Sequence, residues 1–90
     1  MKILYIYKKN MYAALEAAYI HLKLDVFLLN TMEYDLGRKY KQNTLHYIGM
    51  DEEYNEVYVI NYGRNIKIFK NIINSFGQLY KEEIKIIALE

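Results

Sequence analysis

Apolar and aromatic side chains run without interruption from Ile3 to Tyr7. The stretch Lys2 to Tyr7, β-branched and aromatic with no breaker, predicts a buried first strand. Lys8, Lys9 and Asn10 break the run. Asn10 suits the N-cap of a helix, because its side-chain oxygen can accept a bond from an otherwise unpaired backbone N–H. Met11, Ala14, Leu15, Ala18 and Leu22 then recur at the spacing of one helical face. Ala13, Ala17 and Ile20 place small or apolar groups on the other side, so this first helix is expected to touch neighbours on both faces.

Leu24 to Leu29 predict a second strand. Asn30 to Lys41 are mixed in character, with Gly37 marking a turn in a loop. Leu45 to Met50 predict a third strand, and Val57 to Ile60 a fourth, antiparallel to the third across the turn Asp51-Glu52-Glu53-Tyr54-Asn55. Asp and Asn suit that turn because they bond their own backbone, and Asn tolerates a left-handed conformation. Gly63-Arg64-Asn65 opens a second helix. Ile66, Phe69, Ile73 and Phe76 share one of its faces, and Lys67, Lys70, Asn71 and Asn74 lie off it. Gly77 is expected to end this helix as a left-handed C-terminal residue. Ile84 to Leu89 close the chain as an apolar strand. The order β-α-β-β-β-α-β predicts a single α/β domain over residues 1–90, a mixed sheet of about five strands with two main helices packed on it. No repeat, linker or low-complexity tract is evident.

Composition narrows the classes. A chain of 90 residues leaves no room for two domains, and buries only about 60% of its unfolded surface. Eleven tyrosines are a surplus, and tyrosine, apolar in body and polar at its tip, serves core edges, pockets and contact surfaces alike. A net charge of +1 with both signs interspersed argues against a nucleic-acid binder. The chain has no cysteine, which excludes disulfides, zinc–thiolate sites and a thiol nucleophile and fits a reducing, cytoplasmic setting. The opening apolar run is too short for a signal peptide, and no stretch approaches the roughly 20 apolar residues of a membrane span. Abundant Ile, Lys, Asn and Tyr without Pro suggest an AT-rich genome.

Three strings carry a resemblance. Tyr47-Ile48-Gly49-Met50-Asp51-Glu52, continuing through Asn55-Glu56-Val57-Tyr58-Val59, is the clearest. Ala17-Ala18-Tyr19-Ile20-His21-Leu22 is the second, and Met1-Lys2-Ile3-Leu4-Tyr5 the third. By these strings the chain resembles the small bacterial proteins grouped as domain of unknown function family 3189, found mostly in spore-forming Gram-positive bacteria. The family carries a Cys, a Gly-Gly pair and His-Ser-Ser between its first strand and first helix. Here those positions hold Tyr7, Lys9-Asn10 and Tyr12-Ala13-Ala14. The resemblance therefore implies the fold and, with those groups replaced, speaks against catalysis by them.

Candidate chemistry is sparse. Helix N-termini suit anions, through unpaired N–H groups and a positive partial charge. If the first and fourth strands run parallel, the loops after them lie at one edge of the sheet, where open α/β sheets bind ligands. Lys8, Lys9, Asn10, Arg64 and Asn65 would then form a shared anion site; otherwise they are solvated loop residues and caps. No glycine-rich phosphate loop accompanies them. His21 sits at the edge of the apolar helical face and reads as a packed or hydrogen-bonded structural residue. His46, alternating with Leu45 and Tyr47, is expected on the solvent or polar face of its strand. Neither has metal-ligand spacing. Asp51, Glu52, Glu53 and Glu56 form an acidic hairpin, a solvated turn or a hard-cation site without EF-hand spacing. Ser75 and Thr44 lack a partner that would activate them. No catalytic residues, cofactor or metal are expected. The favoured reading is a non-catalytic binding or protein-interaction module with a protein partner or a second copy. The alternative is a small anionic-ligand protein, for phosphate or nucleotide, at the two strand–helix junctions. A module predicts a contiguous apolar or tyrosine-rich exposed patch larger than a few hundred Å². A ligand protein predicts a pocket that brings Lys8 or Lys9 near Arg64.

Overall fold

The computed structural model describes residues 1–25 and 45–89. Its strands are β1 (Lys2–Tyr7), β2 (His46–Met50), β3 (Glu56–Asn61) and β4 (Ile84–Ala88), and its helices α1 (Met11–His21) and α2 (Ile66–Tyr80). Side chains alternate across a strand, so the unbroken apolar run of β1 must serve two cores. Ile3, Tyr5 and Tyr7 join one buried cluster with Ala14, Leu15 and Ala18 of α1. Leu4 and Ile6 join another, against which Ile66, Phe69 and Ile73 of α2 pack. A strand buried on both faces belongs inside a sheet covered on both sides. β1 is accordingly central in the order β2-β3-β1-β4, parallel to both β3 and β4, while β2 pairs antiparallel with β3. From β1 the chain moves to β3 on one side; from β3 it returns across β1 to β4. Right-handed crossovers in opposite directions require opposite faces, which is where α1 and α2 lie.

Two expectations are corrected. The described residues form a four-stranded sheet, not one of about five strands. Residues 26–29 of the expected Leu24–Leu29 strand lie outside the described residues, as does the Asn30–Lys41 loop with Gly37. Leu24 is not extended in a strand, because the end of α1 takes it up: its N–H donates to the Tyr19 carbonyl at 2.9 Å, and Lys23 before it is left-handed with φ 58. Gly77 does not end the second helix. α2 continues to Tyr80, and Lys81 takes the left-handed position with φ 54. The glycine is required for a different reason. The chain doubles back so closely that a Cβ at Gly77 would lie 3.0 Å from the Glu82 carbonyl oxygen.

The caps fall where the sequence places them. The Asn10 side chain accepts from the Ala13 N–H, and the Asn65 side chain from those of Lys67 and Ile68. In the β2–β3 turn one Asp51 carboxylate oxygen accepts from the backbone N–H groups of Glu53 and Asn55, both at 2.9 Å. Tyr54 holds the left-handed position, with φ 64, and Asn55 instead buries its side chain on Asp51.

Candidate functional site

Three regions carry candidate chemistry. The first is the edge of the sheet where β1 and β3 end. These strands are parallel neighbours, with Tyr7 level with Asn61, so the loops after them do share an edge. They are also tied together: the Tyr62 N–H donates to the Tyr7 carbonyl at 3.0 Å and the Asn61 amide to the Lys8 carbonyl at 3.1 Å. The two helices leave this edge toward opposite faces. Lys8, Lys9, Asn10, Arg64 and Asn65 are all exposed. A groove of about 430 Å³ opens here, lined by Arg64 and Asn65 with Tyr62, Ile68, Phe69 and Ile72. Lys8, Lys9 and Asn10 are not in its walls. The capping bonds already occupy one N–H of α1 and two of α2, the groups an anion would otherwise use.

The second region lies at the opposite edge. Three consecutive residues at the end of α1 grip the β2–β3 hairpin. His21 Nε2 donates to the Asp51 carboxylate at 2.8 Å, since a carboxylate only accepts, and His21 Nδ1 is hydrogen-bonded to the Tyr5 hydroxyl at 2.7 Å. Leu22 packs on Gly49 so closely that a Cβ there would meet its Cδ1 at 3.0 Å. Lys23 pairs with Glu52 at 3.1 Å, well exposed to solvent. The bond from His21 and the backbone N–H of Asn55 hold the Asp51 carboxyl well below the usual carboxylate range, while burial pushes the Tyr5 hydroxyl up. A cavity of about 440 Å³ adjoins this clasp, bordered by His21, Asp51, Asn55 and Lys85. Both ring nitrogens of His21 are engaged, so the ring offers no lone pair to a substrate or metal. Among the described residues no group of three or more His, Asp or Glu is placed to hold a metal ion.

Sequence reading placed His21 correctly as a hydrogen-bonded residue but missed its partner, Asp51, 30 residues away. One signal was available. Tyr5, His21, Gly49, Asp51 and Asn55 all fall within the three strings that carried the resemblance, and the structure shows the strings in contact.

The third region is a surface. On the α2 side of the sheet, Ile68, Ile72, Phe76, Leu79 and Tyr80 are 58, 61, 44, 75 and 62% exposed. Phe76, expected on the packed face with Ile66, Phe69 and Ile73, instead joins this exposed group and packs against Tyr80, the rings tilted by 40° with centroids 4.7 Å apart. Tyr62, Ile68 and Ile72 share one groove, which places the exposed flank of α2 toward β3. Beyond it lie Tyr58 and Tyr47, edge-to-face at 5.4 Å, with Tyr47 54% exposed. Among the described residues no helix covers this β2–β3 half. The spacing of residues 68, 72, 76 and 80 was legible in the sequence as a second apolar stripe.

The model of a family described as "Protein of unknown function (DUF3189)" matches residues 2–89. The chain belongs to that family. Nearly the whole chain, from β1 through β4, therefore falls within the DUF3189 match. No curated protein and no solved structure matches the chain. No described helix is long and apolar enough to cross a membrane.

Proposed function

We propose that this chain is a non-catalytic protein-interaction module whose contact surface is the exposed flank of α2 together with the β2–β3 half of the same sheet face. The observation that supports it most is the row Ile68, Ile72, Phe76, Leu79 and Tyr80, large apolar side chains left in solvent on one helix. Monomeric proteins rarely leave contiguous apolar patches beyond a few hundred Å², and aromatic side chains at a patch centre are the usual anchors of binding. The polar flank of the helix, with Lys67, Lys70 and Asn74, leaves this row free of charge. A photo-cross-linking amino acid replacing Ile72 in cells of the source organism tests the reading, with the same replacement at Asn74 as control. Protein adducts from position 72 alone are expected. No adducts, or the same adducts from both positions, overturn the reading.

A second reading is a small-anion site at the edge where β1 and β3 end, favoured by their parallel pairing and by the presence of Lys8, Lys9 and Arg64 there. Thermal melts with inorganic phosphate and with a nucleotide panel test it: a rise in Tm that is abolished in Arg64→Ala supports it, and unchanged melts overturn it.

A further inference from the structure

We infer that the occupant of this surface is a second copy of the same chain, a deepening that rests on the interaction reading. The surface has two apolar parts. One is a ridge, formed by Ile68, Ile72, Phe76 and Tyr80 at successive turns of α2; the other is the tyrosine floor of β2–β3, Tyr47 and Tyr58, which lies beside the ridge without a helix over it among the described residues. A two-fold axis sets the ridge of each copy over the floor of the other and makes both contacts at once, as an isologous interface requires. Rows of side chains four residues apart are also the ridges that helices most often use in packing.

Area supports the same occupant. The exposed parts of Tyr47, Ile68, Ile72, Phe76, Leu79 and Tyr80 amount to on the order of 100 Å² each, given the size of such side chains. A two-fold contact that covers them fully buries on the order of 1,200 Å² in total, at the lower bound for stable specific interfaces. One copy alone supplies both halves. Charge does not oppose the pairing: the Lys2 ammonium over the Tyr58 ring is paired with Glu56, the net charge is +1, and none of the six residues is a Lys, Arg, Asp or Glu.

Sedimentation velocity on the full chain across a wide concentration range tests the inference. The wild type is expected to pass from monomer to dimer as concentration rises. Ile72→Lys in the ridge and Tyr47→Glu in the floor are each expected to stay monomeric, with circular dichroism confirming the fold. Mixing the two variants is expected to restore a dimer, because one ridge–floor contact stays native and the other gains a Lys–Glu pair. Leu79→Lys replaces Ile72→Lys should the latter not fold. A monomeric wild type at every concentration, or variants that dimerise as well as wild type, overturns the inference. The interaction reading then stands or falls separately on the cross-linking at position 72: an adduct of the chain with itself supports the second copy, and an adduct with a different protein overturns it while keeping the module.

Discussion

The two sides of the sheet carry one helix each and close to different degrees. On the α1 side, Ala14, Leu15 and Ala18 are 0% exposed, sealed against Val57 and Val59. Small residues let α1 approach the strands closely, and its last turn is locked to the hairpin by His21, Leu22 and Lys23. On the α2 side only Gly77 of the helix is buried, and Ile66, Phe69 and Ile73 are half-buried. α2 has plenty of apolar surface, but spreads it over more than the face that the sheet can cover. Both helices are apolar; what distinguishes them is whether the apolar residues fit on the one face turned to the sheet. The excess on α2 is what a partner would cover.

That contrast can be broken or sharpened by substitution. Leu15→Ala removes a fully buried side chain and is expected to cost about 2–5 kcal/mol in urea denaturation, a large share of the stability of so small a domain. Ile73→Ala, half-buried under α2, is expected to cost roughly half as much, since the loss scales with the area buried. Equal costs would show the two cores to be equally tight.

The clasp adds a pH signature to the α1 side. The Asp51 carboxyl is held low in the folded protein, so it contributes stability in full above its unfolded pKa of about 4 and loses it as pH falls toward the folded value. Asp51→Asn is expected to melt lower than wild type near neutrality, with the difference shrinking as pH drops below about 4. A constant difference across that range would separate Asp51 from the clasp. Asn65→Ala, removing two capping bonds from α2, is expected to cost about 1 kcal/mol. Leu79→Ala, on the exposed ridge, is expected to change the stability of the monomer at high dilution by less than about 0.5 kcal/mol. A larger loss would mean that the ridge is already packed.

Much of this was legible from local pattern. The breaker-free first strand, the helix starts at Asn10 and Asn65, the antiparallel hairpin around Asp51 and the packing of Ile66, Phe69 and Ile73 each depend on neighbours a few residues apart, and each appears as read. The missed features depend on residues far apart in sequence. Gly77 reads locally as a helix stop, and only the return of the chain at Glu82 shows that it is a close-approach glycine. Phe76 fits the inner face by spacing, yet its ring turns to the flank with Tyr80 and stays 44% exposed. For the candidate anion site, the sequence supplied the residues and a condition, parallel first and fourth strands. The structure meets the condition, but the groove that forms there takes in Arg64 and Asn65 and not Lys8, Lys9 or Asn10.

By itself, then, the sequence determined the first strand, the β2–β3 hairpin, the last strand and both helices, where the helices begin, and which side chains are apolar enough to seek cover. The periodicities of 3.6 and 2 are properties of a few successive residues, and they need no knowledge of the rest of the chain. The tertiary structure alone decided that His21 meets Asp51, that the loops after β1 and β3 share an edge, and which apolar flank of α2 is left open. Those outcomes follow from strand order and from the opposite faces taken by two crossovers, and both are set by contacts between residues tens of positions apart.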